Sequence, residues 1–186
     1  MAFEEPKYQV VEKLESIEVR NYDEYWVAEA EVMGDRSEAG SLGFKLLAAY
    51  IFGKNLGNHN ISMTAPVIQT EQIPLELGTP LITKNHKGSD RNWTIQFPMP
   101  SKFTVDTLPK PKDSRVHLKL IPRKKFAVVT YSGRWTEANY EENLEVLKTA
   151  MEKRKLKSVG EPFWARYNAP YTLWFLRKNE ILIQIN

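Results

Sequence analysis

Two runs of alternating strands, each interrupted by one helix, predict an α+β fold. Three observations carry it. Short segments of period-two alternation dominate the chain, as in Tyr25–Val32, Trp93–Phe97 and Lys125–Tyr131. Only two stretches read as helices. The order strand, strand, helix, strand, strand then occurs twice. Val27–Gly34 (VAEAEVMG) aligns with Phe126–Gly133 (FAVVTYSG) at an offset of 99, and Met63-Thr-Ala-Pro-Val with Tyr167-Asn-Ala-Pro-Tyr at 103 or 104. Two long copies suggest a pseudo-two-fold duplication, since a solenoid needs shorter and more numerous units.

The elements follow in order. Tyr8–Lys13, Ser16–Arg20 and Tyr25–Val32 alternate as strands. Gly34 breaks the pattern, and Asp35 with Glu38 three residues on reads as the start of a helix that runs to about Phe52 and stops at Gly53. A polar loop from Lys54 to Asn60 leads to a strand over Ile61–Gln69. A strand at Pro80–Thr83 is expected between exposed loops, and Trp93–Phe97 follows. Pro98, Pro100, Pro109 and Pro111 mark a connector, and the two halves are expected at about 6–108 and 114–186 of one domain, 1–186. Val116–Leu120 and Lys125–Tyr131 open the second half. Its helix begins near Thr136, with Tyr140, Leu144, Leu147 and Met151 on one face. A strand over Phe163–Thr172 and a hairpin, Tyr171–Phe175 against Ile181–Ile185, close the chain.

Composition excludes whole classes of function. Cysteine is absent from the 186 residues, which removes disulfides, thiolate metal sites, iron–sulfur clusters, a cysteine nucleophile and covalent haem attachment. Three histidines, His59, His86 and His117, argue against a multi-histidine metal site. A net charge of +3, spread among acids, is not the footprint of a nucleic-acid surface. The start, Met1-Ala-Phe-Glu-Glu-Pro, is no secretory signal, and Leu46–Phe52 is far too short for a membrane span, so a cytoplasmic protein without membrane insertion is expected. No GxSxG, HExxH, Walker A, GxGxxG or EF-hand pattern occurs, and no catalytic residue is assigned.

The first helix is the most informative element. From Leu42 to Phe52 only Lys45 is charged, and apolar side chains occupy two faces. One carries Ala39, Gly43, Leu46 and Tyr50, the other Phe44, Ala48, Ile51 and Phe52. A helix on a sheet needs one apolar stripe, so the second must meet a covering loop such as 70–91, a ligand or a partner.

Several motifs are similar to the SOUL/p22 haem-binding protein family. They are Glu4-Glu-Pro-Lys-Tyr, Tyr50-Ile-Phe-Gly, Ile61-Ser-Met-Thr-Ala-Pro-Val, Tyr167-Asn-Ala-Pro-Tyr and Arg177-Lys-Asn-Glu-Ile, in the family's order from about Pro6 to Ile185. The resemblance implies a distorted antiparallel β-barrel flanked by two α-helices, built from two similar β-α-β repeats, as in gyrase-inhibitor-like effector-binding domains. It implies non-covalent binding of haem or another tetrapyrrole for carriage, buffering or sensing. The implied groove lies beside the first helix, with Phe44, Leu47, Ala48, Ile51 and Phe52 facing the macrocycle, Met63 near its floor and the 174–182 hairpin opposite. Lys45, Lys54, Arg177 and Lys178 can meet the propionates, while Lys54 and Lys178 read equally well as solvated turn residues. His59 is the best placed histidine for iron, against the simpler reading of an exposed loop residue between two asparagines. A broader hydrophobic effector-binding domain, an enzyme built on the same pocket and a protein-interaction role through the first helix are the alternatives.

Overall fold

The computed structural model describes residues 3–72 and 91–186. The expected strand at Pro80–Thr83 lies outside them. Nine strands form one antiparallel sheet: β1 (Tyr8–Lys13), β2 (Glu18–Tyr22), β3 (Tyr25–Met33), β4 (Val67–Gln72), β5 (Asn92–Pro98), β6 (Val116–Ile121), β7 (Lys124–Tyr131), β8 (Ser158–Arg166) and β9 (Asn179–Ile185). Helix α1 (Arg36–Ile51) follows β3, and α2 (Glu137–Lys153) follows β7. This is the α+β architecture expected, a curled sheet flanked by two helices.

The spatial order is β1-β2-β7-β9-β8-β4-β5-β3-β6. Exchanging β2 with β6, β3 with β7, β4 with β8 and β5 with β9 returns the β2-to-β6 part of this order reversed. Each half therefore lends one strand, β2 or β6, to the far side of the other. Asp23-Glu24 and Pro122-Arg123 are the links that cross between them, and Arg123 pairs with Asp23 at 3.3 Å.

Both helices start on built caps. The Asp35 carboxylate accepts from the backbone N–H groups of Ser37 and Glu38, and the Thr136 hydroxyl from that of Asn139. Before each cap stands a glycine at positive φ, Gly34 at 137° and Gly133 at 125°, where a side chain would be strained. Helix α1 packs on β3, β5 and β6, and α2 on β7 and β9. Beneath α1, Leu47 and Ile51 join Ala30, Trp93, Ile95 and Phe97 in one core; beneath α2, Leu147 and Met151 join Val129, Ile181 and Ile183 in another. The face turned away from the helices holds a third cluster, with Tyr22, Phe126, Val128, Ala165 and Leu182.

Three expected elements differ. Strand β4 starts at Val67, not Ile61, because Asn60 and Thr64 make only isolated bridges, to Phe52 and Glu4. Strand β8 ends at Arg166 instead of running to Thr172. Tyr171–Phe175 forms no hairpin strand, because its backbone groups bond locally: Thr172 N–H donates to the Ala169 carbonyl, Leu176 N–H to that of Leu173 and Arg177 N–H to that of Trp174. A 3-10 turn spans Trp174–Leu176, and β9 pairs with β7 and β8 instead.

The closest approach of α1 to the sheet is at Gly43. A Cβ there would stand 2.7 Å from Ile95 Cβ, and Ile95 is fully buried. Gly43→Ala is expected to lower stability by about 1–3 kcal/mol despite the better helix propensity of alanine. Ser41→Ala, on the exposed side of the same helix, should be neutral or slightly stabilising; urea denaturation midpoints of the two variants check this.

Candidate ligand site between the helices

Two arrangements of polar side chains stand out, one inside the curl and one outside it. Inside, Glu180 is the fully buried centre. Its Oε1 accepts from Arg20 at 3.1 Å and from the Thr130 hydroxyl at 3.1 Å, and its Oε2 accepts from the Tyr167 hydroxyl at 2.5 Å. Arg20 also donates to Glu18 at 2.8 Å and to the Tyr22 hydroxyl at 3.2 Å, and its guanidinium lies 4.3 Å from the Tyr8 ring centroid. Burial, with the Glu180 carboxylate adding to it, pushes both the Tyr22 and the Tyr167 hydroxyls well above the usual tyrosine range. Lys178 reaches this cluster from the rim, 3.7 Å from Glu180 and 3.2 Å from Glu5. Every charge here has an opposite charge beside it, so the cluster reads as a lock on the barrel interior.

Outside, α1 presents Phe44, Ala48 and Phe52 at successive fourth positions, which places them on one flank. Phe44 packs edge-on against Phe97, ring centroids 5.3 Å apart, yet stays 39% exposed; Ala48 is half-buried and Phe52 is 66% exposed. Lys45 and Lys54 are exposed beside this stripe. Leu47 and Ile51 point the other way, into the core, where they support the stripe from beneath. Met63 is half-buried against the same core.

The loop after α1 is fixed by the buried Asn55, which donates to the carbonyls of Tyr50 and His59 and accepts from the His59 N–H. His59 itself is exposed, its ring folded over Gly57. Among the described residues no group of three or more His, Asp or Glu side chains could hold a metal ion.

One turn before Phe44 on the same flank, Gly40 faces the sheet centre, near Gln69 of β4 and the Arg166 guanidinium of β8. Arg166 stacks on Trp135, 5.3 Å from the ring centroid, and Arg177 lies against the same ring at 4.3 Å. Arg177 is also tied down, donating to the carbonyls of Thr172 and Pro170 at 2.9 and 2.6 Å. Among the described residues no carboxylate pairs with Arg166, Arg177 or Arg134, and of these three Arg166 is the one whose pKa burial lowers. Burial pulls its pKa below the ordinary arginine value, with nearby Tyr131 opposing and Arg36 adding to that pull. Burial likewise pushes the Tyr131 hydroxyl up to about 12. Arg36 sits deeper, its guanidinium 3.3 Å from the Trp164 ring centroid and 4.8 Å from that of Tyr140; it pairs with Glu137, while its Nε has no acceptor.

The sequence-predicted residues thus fall into two groups. Phe44, Lys45, Ala48, Phe52 and Lys54 share the outer side of α1 and its exit loop. Arg177 and Lys178 stand at the start of β9, which α2 covers. Gly40, Arg166 and Trp135 form the bridge between the groups, and sequence reasoning singled out none of the three. Arg166 had one legible signal, a cation in an 18-residue stretch, 162–179, that contains no Asp or Glu.

Two cavities flank this region. One of about 570 Å³ lies under α2 and is lined by Trp93, Trp164 and Met151, with five glutamates against Arg36, Arg91 and Lys148. The other, of about 270 Å³, lies beneath the N-terminal segment and is lined by Trp26 and Phe103 with four acids against Lys7. Both linings carry more negative than positive groups, which disfavours a dianionic ligand in either.

The described residues thus form a curled antiparallel sheet with an apolar helix flank and a separate internal ion cluster. The chain matches the family model described as SOUL heme-binding protein over residues 3–184, and it belongs to that family. It is similar to Heme-binding protein 2 of Homo sapiens, 29% identical over 174 residues that span 89% of this chain and 80% of that protein. The fold is shared with the EcmrR C-terminal domain at a TM-score of 0.68 and 12% identity, over 96% of this chain and 98% of that one. It is shared too with a hydrolase of Listeria innocua at 0.62 and 14% identity, over 92% of both chains.

Removing the internal lock has a definite signature. Arg20→Met leaves the buried Glu180 carboxylate with only the Lys178 ammonium at 3.7 Å as counter-charge and is expected to cost about 3 kcal/mol. Adding Glu180→Gln, whose amide oxygen accepts from one of the Tyr167 and Thr130 hydroxyls while its NH2 donates to the other, should recover most of that loss. Chemical denaturation of the two single variants and the double variant checks it, and additive losses would refute the coupling.

Proposed function

We propose that this chain is a single domain of two similar halves, about 6–108 and 114–186, that binds haem or a related tetrapyrrole non-covalently for carriage, buffering or sensing. Family membership and the name of the human relative support the ligand class. The observation that carries the site is Arg166, a sparsely solvated cation without a carboxylate partner at the foot of an apolar helix flank.

A porphyrin is a large apolar plate with two carboxylates, so it needs an apolar wall and cations at one edge. Phe44, Ala48 and Phe52 supply the wall in this reading, with Ala48 the low point between two rings. Arg166 and Arg177 are the carboxylate anchors on one side, and Lys45 and Lys54 on the solvent side. The loop from 167 to 178 is the opposite wall, with Lys178 at its end. Leu47, Ile51 and Met63 hold the wall in place from the core. Affinity then comes from ring contact and charge-assisted hydrogen bonds, and metal-free porphyrin binds as well. When bound, haem supplies iron chemistry, for which His59 is the nearest histidine after α1.

Ferric haem, metal-free porphyrin and the porphyrin dimethyl ester are titrated in parallel, following the Soret band. Saturation is expected near one equivalent for the two diacids. Ala48→Glu should weaken both by about tenfold or more, since a carboxylate would be buried under the ring. Ile51→Glu is unsuitable as a probe, because Ile51 is 1% exposed and a charge there unfolds the helix contact. Arg166→Met should cost the diacid roughly tenfold, the worth of one charge-assisted hydrogen bond, and leave the diester unchanged. Equal losses for diacid and diester would remove Arg166 from the site, and no saturable binding by the wild type would end the reading. His59→Ala should move the haem Soret maximum only if His59 meets the iron.

A further inference from the structure

The loop between β8 and β9, the opposite wall in the ligand reading, carries an apolar tip whose outer side chains face solvent. Tyr171, Leu173, Trp174, Phe175 and Leu176 are all exposed, Tyr171 by 91% and Leu176 by 64%. These side chains are not the result of a slack segment. Gly133 N–H donates to the Trp174 carbonyl, Lys178 N–H to the Asn168 side chain at 2.6 Å, and the Arg177 guanidinium holds two loop carbonyls from within. The backbone is therefore shaped to turn large apolar groups outward, against the usual tendency to bury them.

The surroundings are basic. No acid occurs from 162 to 179, half-buried Lys178 stands at the end of the loop, and exposed Arg134 lies over the Trp174 ring at 5.8 Å. Glu5, which reaches Lys178, is the acid paired at this rim. Tryptophan and tyrosine beside leucine and phenylalanine, ringed by arginine and lysine, suit the boundary between headgroups and acyl chains. No described helix is long and apolar enough to cross a membrane, so such contact is peripheral. A second copy of the chain is the poorer occupant, because a tip of six residues falls far short of the roughly 20–30 residues a side of a stable interface.

We propose that the 171–176 tip docks this protein on bilayer surfaces that carry anionic lipid, with Trp174 and Phe175 entering the interface and Arg134 facing the headgroups. The inference does not rest on haem binding, and it is tested on protein without added porphyrin. Cosedimentation is measured with vesicles of phosphatidylcholine alone and with about 30% phosphatidylserine, where partitioning should be about tenfold stronger and should weaken as salt rises. The double variant Trp174→Ser/Phe175→Ser should lose partitioning while its circular dichroism stays that of the wild type, and Arg134→Ala should reduce it about fivefold, one surface charge. Equal partitioning of wild type and double variant overturns the proposal, as does a wild type that stays in the supernatant with both vesicles. A wild-type molar mass in solution that is dimeric and becomes monomeric in the double variant, without vesicle binding, assigns the tip to self-association and also overturns it.

Discussion

Two short links dictate the shape of this molecule. Strands β2 and β3 are second and eighth in the sheet order, and β6 and β7 are ninth and third, yet each pair is joined by two residues. In a flat sheet, six strand spacings of about 4.8 Å separate such partners by about 29 Å. Three Cα–Cα steps reach about 11 Å at most. The sheet must curl until both outer strands meet their partners, and the Asp23–Arg123 pair ties the two crossings together. The closure comes from connectivity, before any side chain is considered.

The curl divides the side chains into two populations with different physics. Those turned inward have little room and little water. There the charged groups must be matched, and the Arg20, Glu18, Glu180, Tyr167 and Thr130 network does so, with Gln96 donating to Glu29 at 2.9 Å further round the wall. Those turned outward meet the helices. Each helix covers only its own half of the sheet, so the central strands β4 and β8 lie between them. The larger of the two cavities accordingly lies beside α2, and the smaller lies beneath the N-terminal segment.

Much of this was legible in the sequence, and the exceptions have a common cause. Period-two alternation located β1, β2, β3, β5, β6 and β7, and the Asp35 and Thr136 caps fixed the helix starts. The duplicated Ala-Pro motif, by contrast, misplaced β4 and β8. Both segments are apolar enough for strands, but Pro66 and Pro170 lack a donor for the ladder, and the neighbouring backbone bonds locally. Tyr171–Phe175 misled for the same reason: its β-prone side chains say nothing of where its N–H groups go. The two apolar faces of α1 were legible in the sequence, and Phe44 and Phe52 on one of them are exposed, while most of the proposed covering loop 70–91 lies outside the described residues. Which residues lay on that stripe was only half legible, because Ile51 and Phe44 straddle the boundary of the buried face. Beyond the acid-free stretch around it, Arg166 gave no signal, since its meaning comes from Gly40 and Trp135, which lie far before it in the chain.

The contrast between two arginines gives the candidate site its physical basis. Arg20 faces the inside of the curl and Arg166 the helix side, and both have aromatic neighbours. Arg20 faces two carboxylates, so its charge adds little pull on anything that arrives later. Arg166 faces the Trp135 ring and the Tyr131 hydroxyl, which soften the loss of water without cancelling the charge. Burial already pulls its pKa below the ordinary arginine value. An incoming carboxylate would meet a half-buried cation whose charge no acid beside it offsets. The same reasoning explains why the acid-lined cavity under α2, although roomy, is the less suitable host: there a carboxylate would meet glutamates first, and Arg36 is already engaged by Glu137 and two aromatic rings. In the proposed site, a dicarboxylate plate would be favoured where the fold leaves this cation without an acid beside it.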